Sequence, residues 1–284
     1  MRNMAASLSF LVMIIQISIL LSKSASVALD DFTPFGEDNG DVLMHRELDA
    51  VSGKINITTA FPFFGRKFTS LYVSSHGLIS LEKAFAKYVP QQFPLSDMVT
   101  IIAPYWADVA QRSKGGIWYR QNSTKHLLEV ASIDVRNAFL EFQHFSAIWM
   151  FVTTWEKVTF YQSTNKNITN TFQLILLTDG LYSFVRFNYQ EISWTSATTS
   201  GGNSRNGLGG NEAGCGFNAG YGNYFYNVSW NSFRNIRVLD LPFKTNVGEP
   251  GVWMFRTDGI TIQEPTGRIT KGNHHHLLHH HRQS

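Results

Sequence analysis

Two stretches of the chain, Ala147 to Tyr161 and Thr171 to Tyr189, are apolar on both alternating faces. A strand with one face in water alternates apolar and polar residues, so these runs need cover on each side. Asp179-Gly180 interrupts the second run and is a strong signal for a two-residue hairpin, giving strands Thr171–Thr178 and Leu181–Tyr189. The hairpin belongs at the centre of a sheet, with other elements brought onto both of its faces.

One covering element is legible. Leu127, Leu128, Ala131, Val135, Ala138, Phe139 and Phe142 recur at intervals of three and four, with Glu129, Asp134, Arg136 and Glu141 between them. This predicts one amphipathic helix over about 125–142 whose apolar stripe docks on a sheet. Shorter runs at Lys67–Ser74, Gly77–Leu81, Thr100–Ile102, Gly116–Arg120 and Gly251–Thr257 are rich in β-branched and aromatic residues and bounded by turn formers, so they read as strands. Thr195–Gly222 reads as a long loop with weak strand character around Phe217. The fold class is therefore mainly β: a single two-sheet, sandwich-like domain with one packed helix.

The ends differ from this body. Arg2, the apolar run Leu8–Leu21 and the small residues Ser22–Ser26 have the order of a secretory signal peptide over 1–26, with cleavage between Ser24 and Ala28. The run is shorter than a membrane-spanning helix needs, and no later segment is both long and apolar enough to span. Residues 27–54 read as an irregular leader arm, 55–259 as the domain, and 260–284 as a disordered histidine-rich tail. Of the formal charge of +3, Arg2, Lys23, Lys271 and Arg282 lie near the ends, which leaves the body near −1. Nothing in it is basic enough to track phosphates, so nucleic acid is excluded as a partner.

Cys215 is the one cysteine in the sequence, so no disulfide forms within the chain and stability must come from burial. Two readings of Cys215 stand, a buried thiol in an apolar glycine-rich stretch and an intermolecular disulfide. The sequence offers no catalytic constellation. GxSxG, HExxH and Walker motifs are absent, Gly207–Gly210 is a flexible loop, and Asp179 and Asp258 precede glycines as turn residues do. Asp108 sits among apolar residues, which fits a structural carboxylate and, as a further hypothesis, a hydrolase. The expectation is a non-enzyme without a cofactor. A carbohydrate-binding reading draws on Tyr221, Tyr224, Phe225, Tyr226 and Trp230, since sugar rings stack on exposed aromatics. N-glycan acceptor motifs occur at Asn56, Asn122, Asn167 and Asn227; Asn122 and Asn167 lie in evident loops, whereas Asn56 and Asn227 lie beside apolar residues.

Read in order, Phe61-Pro62-Phe63-Phe64-Gly65, Leu71-Tyr72-Val73, His76–Ser80, Phe93-Pro94-Leu95, Ile102–Val109, Thr154–Tyr161 and Asn170–Gln173 form a series. It continues through Thr178-Asp179-Gly180, Phe187-Asn188-Tyr189, Ile192–Thr195, Asn246-Val247-Gly248 and Pro250–Asp258. This series resembles the nidogen-like (NIDO) domain family, and Thr154–Tyr161 with Thr195–Gly210 is most similar to its alpha-tectorin branch. The resemblance implies a secreted protein of the extracellular matrix and of cell-matrix adhesion, with matrix proteins or glycoproteins as partners and no catalytic activity. It marks Trp106, Asp108, Trp155, Asp179, Gly180 and Trp194 as structural motif positions. Ala110 departs from a position that is often acidic in the family, which removes support for a cation site there. The cysteine-rich and other assembly modules of larger family members do not follow in this sequence, so an accessory component and a piece of a longer product both stand as readings.

The tail holds His274, His275, His276, His279, His280 and His281. Two imidazole triplets on a flexible segment can close around one divalent ion such as zinc, copper or nickel. The expected affinity is modest, because ordering the segment costs conformational entropy.

Overall fold

A computed structural model describes residues 26–44, 50–110, 115–121, 124–229 and 236–269. The N-terminal residues through 25, which hold most of the signal-peptide reading, Asn122, Trp230 and the tail histidines of the metal reading lie outside the described residues.

Thirteen strands form two antiparallel sheets among the described residues. In the first, the order is β1 (Val42–Leu43), β7 (Ile117–Gln121), β8 (Trp149–Phe160), β9 (Asn170–Thr178), β10 (Ser183–Ile192) and β13 (Val252–Arg256), with β6 (Val109–Ala110) added beside β8. In the second it is β12 (Phe225–Asn227), β11 (Gly214–Asn218), β5 (Thr100–Trp106), β4 (Leu78–Leu81), β3 (Arg66–Ser74) and β2 (Ile55–Phe63). Their inner faces enclose the main core.

The doubly apolar runs lie where their pattern requires. Trp149 and Phe151 of β8 and Leu174 and Leu176 of β9 face the second sheet. The alternate residues Met150, Val152, Ile175 and Leu177 point the other way, into a second core beneath the helix. That helix, α1 (Lys125–Ala138), starts at Thr124, whose side chain accepts from Leu127 N at 3.3 Å. It is shorter than the predicted 125–142: the chain leaves the helix at Phe139 and makes a 3-10 turn over Leu140–Phe142. Val135, Ala138 and Phe139 nevertheless pack on Phe184 and Met254, with Leu128, Ala131 and Phe142 alongside.

The sheets cross rather than run alongside each other. β2 passes over one end of the first sheet, from Gln121 of β7 (Thr58 N to Oε1, 3.0 Å) past Trp149 to Thr257 beside β13 (Phe64 N to O, 2.9 Å). On the outer face of the second sheet, Phe85, Phe93 and Val99 from the connection between β4 and β5 cover Leu78, Ile101 and Trp106.

Four further expectations are revised. The hairpin loop has four residues, not two: Asp179 Oδ1 accepts from Leu181 N (2.9 Å) and Tyr182 N (2.7 Å), and β10 begins at Ser183. Asp134, placed by pattern on the polar side of the helix, is buried and ion-paired with Arg186 of β10. Residues 260–269, expected to begin a disordered tail, are tied to the domain: Thr266 N and Gly267 N bond Ala138 O, and Ile269 is buried. The leader lies on the domain rather than leading up to it, with 3-10 turns at Leu29–Asp31 and Glu37–Asn39 and β1 paired to β7. Val27 and Phe32 enter the second core, and Asp41 pairs with Arg120 in a buried bridge.

Candidate functional site

The motif tryptophans are core residues. Trp106, Trp155 and Trp194 have essentially no exposed surface, and their indole N–H groups donate to Lys87 O (2.8 Å), Ser74 O (3.2 Å) and Val158 O (3.0 Å). Each therefore ties a strand or strand end to another segment while filling the interior. Asn170 works with them, accepting from Ser193 N and Trp194 N and donating to Trp194 O. Gly77 is required for a different reason: a side-chain carbon there would lie 1.9 Å from Tyr105 O.

Asp108 is buried at the end of β5, between His76 and an outer loop. Its Oδ2 accepts from the Thr199 hydroxyl at 2.7 Å, its Oδ1 lies 3.8 Å from His76 Nδ1, and its carbonyl accepts from Tyr161 N at 2.9 Å. These contacts bind the β5–β6 corner to the loop after β10 and to the end of β8. Asp179 and Gly180 form the hairpin turn, where Gly180 holds a φ of 91°. Asp258 receives both Nε and Nη2 of Arg256, at 3.0 and 2.9 Å. Among the described residues no group of three His, Cys, Asp or Glu side chains is placed to hold a metal ion.

Cys215 is the second residue of β11, with 1% of its surface exposed, and its N–H donates to Ser229 Oγ at 3.2 Å. Burial pushes its thiol up to about 12. Burial likewise raises the neighbouring Tyr105 and Tyr189 phenols, whose hydroxyls donate to Trp194 O and Pro104 O.

The aromatic group divides. Tyr221 and Tyr226 are half-buried, donating to Phe64 O and Glu264 Oε1. Tyr224 and Phe225 are exposed. Of the acceptor asparagines, Asn56 on β2 and Asn167 in the β8–β9 loop are exposed, whereas Asn227 is half-buried on β12 and followed by buried Val228 and Ser229.

Sequence reasoning missed one feature altogether. At the hairpin end of the sandwich, Ile148, Leu181 and Ile260 are each about 60% exposed. A side-chain carbon on Gly180 would lie 3.7 Å from Ile148, one on Gly65 would lie 3.3 Å from Ile260, and Lys67 Nζ donates to Gly180 O at 3.2 Å. Three separate loops thus bring aliphatic side chains to one end, a juxtaposition no local pattern encodes.

The family model for the nidogen-like domain matches residues 69–259, beginning within β3 and running past β13. The chain belongs to the nidogen-like domain family. Alpha-tectorin of Mus musculus is 38% identical over 224 residues, covering 79% of this chain and 10% of that protein. Nidogen-2 of Mus musculus is 32% identical over 191 residues, covering 64% and 13% respectively. Protein mesh of Bombyx mori is 30% identical over 254 residues, covering 78% and 16%. The chain thus spans about a tenth of the length of alpha-tectorin. No solved structure matches it. The alpha-tectorin and nidogen relatives are secreted extracellular-matrix proteins, which sets this nidogen-like domain among matrix components. No helix among the described residues is long and apolar enough to cross a membrane.

Proposed function

We propose that this chain is an extracellular-matrix module that acts by protein–protein contact with other matrix proteins or glycoproteins, without chemistry of its own. The observation carrying this reading is where the family residues lie: Trp106, Trp155, Trp194 and Asp108 are buried and hold strands and corners together. What the domain offers to the outside is surface, and one apolar part of it is the aliphatic end where Ile148, Leu181 and Ile260 are exposed. Secretion, directed by residues 1–26, delivers it to the matrix.

Retention of matrix components from native matrix extract at physiological salt tests the proposal. The glycosylated wild-type protein retains one or more, and the Ile148→Asp/Leu181→Asp/Ile260→Asp variant, altered only at exposed loop positions, loses them. A wild-type protein that stays monomeric and retains nothing ends the contact reading. The alternative, a carbohydrate-binding module, rests on the exposed rings of Tyr224 and Phe225. A glycan array without signal above background removes it.

A further inference from the structure

We propose that Asn56 and Asn167 carry N-linked glycans in the secreted protein and that Asn227 is a silent acceptor motif closed by folding; the assignment rests on the extracellular reading above. The three motifs are chemically equivalent in sequence, Asn56-Ile57-Thr58, Asn167-Ile168-Thr169 and Asn227-Val228-Ser229. Folding places them in different environments. A glycan is bulky and hydrated, so it persists only where the asparagine can direct it into solvent.

Asn56 qualifies although it lies on a strand. β2 is the edge of its sheet, and its pairing with β3 breaks between Asn56 and Phe61. Ile57 turns inward to the main core, so Asn56 and Thr58 on the alternate positions turn outward, and both are exposed. The backbone at this edge is already engaged: Gln121 Nε2 donates to Asn56 O at 2.9 Å, and Gln121 Oε1 accepts from Thr58 N at 3.0 Å. A glycan on Asn56 therefore leaves the strand's hydrogen bonds intact. Asn167 lies in the loop between β8 and β9 within an exposed stretch, in a local turn where its N–H donates to Asn165 Oδ1 at 3.1 Å.

Asn227 fails on each count. It ends β12, directly opposite Gly216 of β11, and its amide oxygen is enclosed. The two residues that complete its motif have at most 3% exposure, and the Ser229 hydroxyl accepts the Cys215 N–H. A side-chain carbon on Gly216 would already lie 3.2 Å from Asn227 Cα, so the β11–β12 contact has no slack. A chain glycosylated at Asn227 before folding could not close this pair, and secretion would select against it.

The test uses the full chain in a eukaryotic secretory host, in an Asn122→Gln background that removes the remaining motif. One version keeps its own N-terminus, and a second has residues 1–25 replaced by a proven secretory signal. Glycopeptide mass spectrometry of the second version should find glycan on Asn56 and Asn167 and bare Asn227. Asn56→Gln and Asn167→Gln should each remove one glycan-sized mobility step, and Asn227→Gln none. Glycan on Asn227 of secreted, folded protein overturns the proposal, as does secreted protein bare at Asn56 or Asn167. If the second version shows the expected pattern but the first stays inside the cell, the acceptor assignment holds and the secretory reading of residues 1–26 fails.

Discussion

The environment of Cys215 makes a quantitative prediction about both reactivity and stability. Its ordinary value lies near 9, and burial in the folded domain pushes it up to about 12. At about pH 8 roughly one unfolded chain in ten is a thiolate, against about one folded chain in ten thousand, so acidity alone suppresses alkylation about a thousandfold. The linkage has a definite sign. Between about pH 9 and 12 the unfolded chain has lost a proton that the folded chain retains, so stability is full below this window and falls as pH rises through it. Each unit is worth about 1.4 kcal/mol, so raising the pH from about 7.5 to 10 should cost about 1.4 kcal/mol through this group. Tyr105 and Tyr189, also raised by burial, add the same sign of effect at higher pH, which is the reason to stop at about 10. Urea unfolding of wild type and Cys215→Ala across this range reads the difference in slope, and pulsed iodoacetamide labelling with and without denaturant reads the reactivity. Equal slopes in the two proteins, or comparable labelling of folded and unfolded chains at pH 8, would refute the reasoning. A reductant-sensitive dimer that vanishes in Cys215→Ala would do so as well, since a thiol with 1% exposure cannot reach a second chain.

Other consequences can be checked with simpler measurements. Arg186→Met should destabilise by about 3–5 kcal/mol in urea unfolding, because it leaves the buried Asp134 carboxylate without its cation, and Arg186→Met/Asp134→Leu should recover much of the loss. Asp108→Asn should cost about 1–2 kcal/mol by weakening the tie from Thr199 and His76, with no hydrolytic turnover in either protein; turnover lost with stability unchanged would favour catalysis. Zinc calorimetry should give heat for the full chain but not for a version ending at Thr270, and the signal should fade as pH falls through about 6.5, where imidazole protonates.

The parts of the fold that were legible are those whose signal is local and repeated. Doubly apolar β8 and β9 announced cover on both faces, and the three-and-four spacing of Leu128, Ala131, Val135 and Ala138 announced what covers one of them. β2 went unread because Pro62 and a weak alternation argue against a strand, although both are tolerated at a sheet edge. Asp134 was misplaced because a helix pattern assigns charge to water. Only the fold reveals that Arg186, two strands from the nearest helix residue in sequence, waits beneath it.

The packed segment after Gly259 shows the same limit from the other end. α1 finishes with carbonyl groups that have no partner within the helix, and Ala138 O finds its donors more than a hundred residues later, at Thr266 and Gly267. A segment without apolar periodicity was therefore held in place by an obligation belonging to another element, which composition cannot express. The family motif has the complementary ambiguity. A tryptophan that recurs at a fixed place in a pattern reads equally as a binding residue or as a brace, and the indole bonds of Trp106, Trp155 and Trp194 to carbonyls of distant segments make braces of all three. A domain whose most recognisable residues face inward leaves its contacts to surface loops, and there Ile148, Leu181 and Ile260 stand on three loops at one end of the first sheet, before β8, between β9 and β10 and after β13. The interior pattern is easier to read than this surface. Core residues answer to the nearest strand, whereas the aliphatic end depends on three loops arriving together.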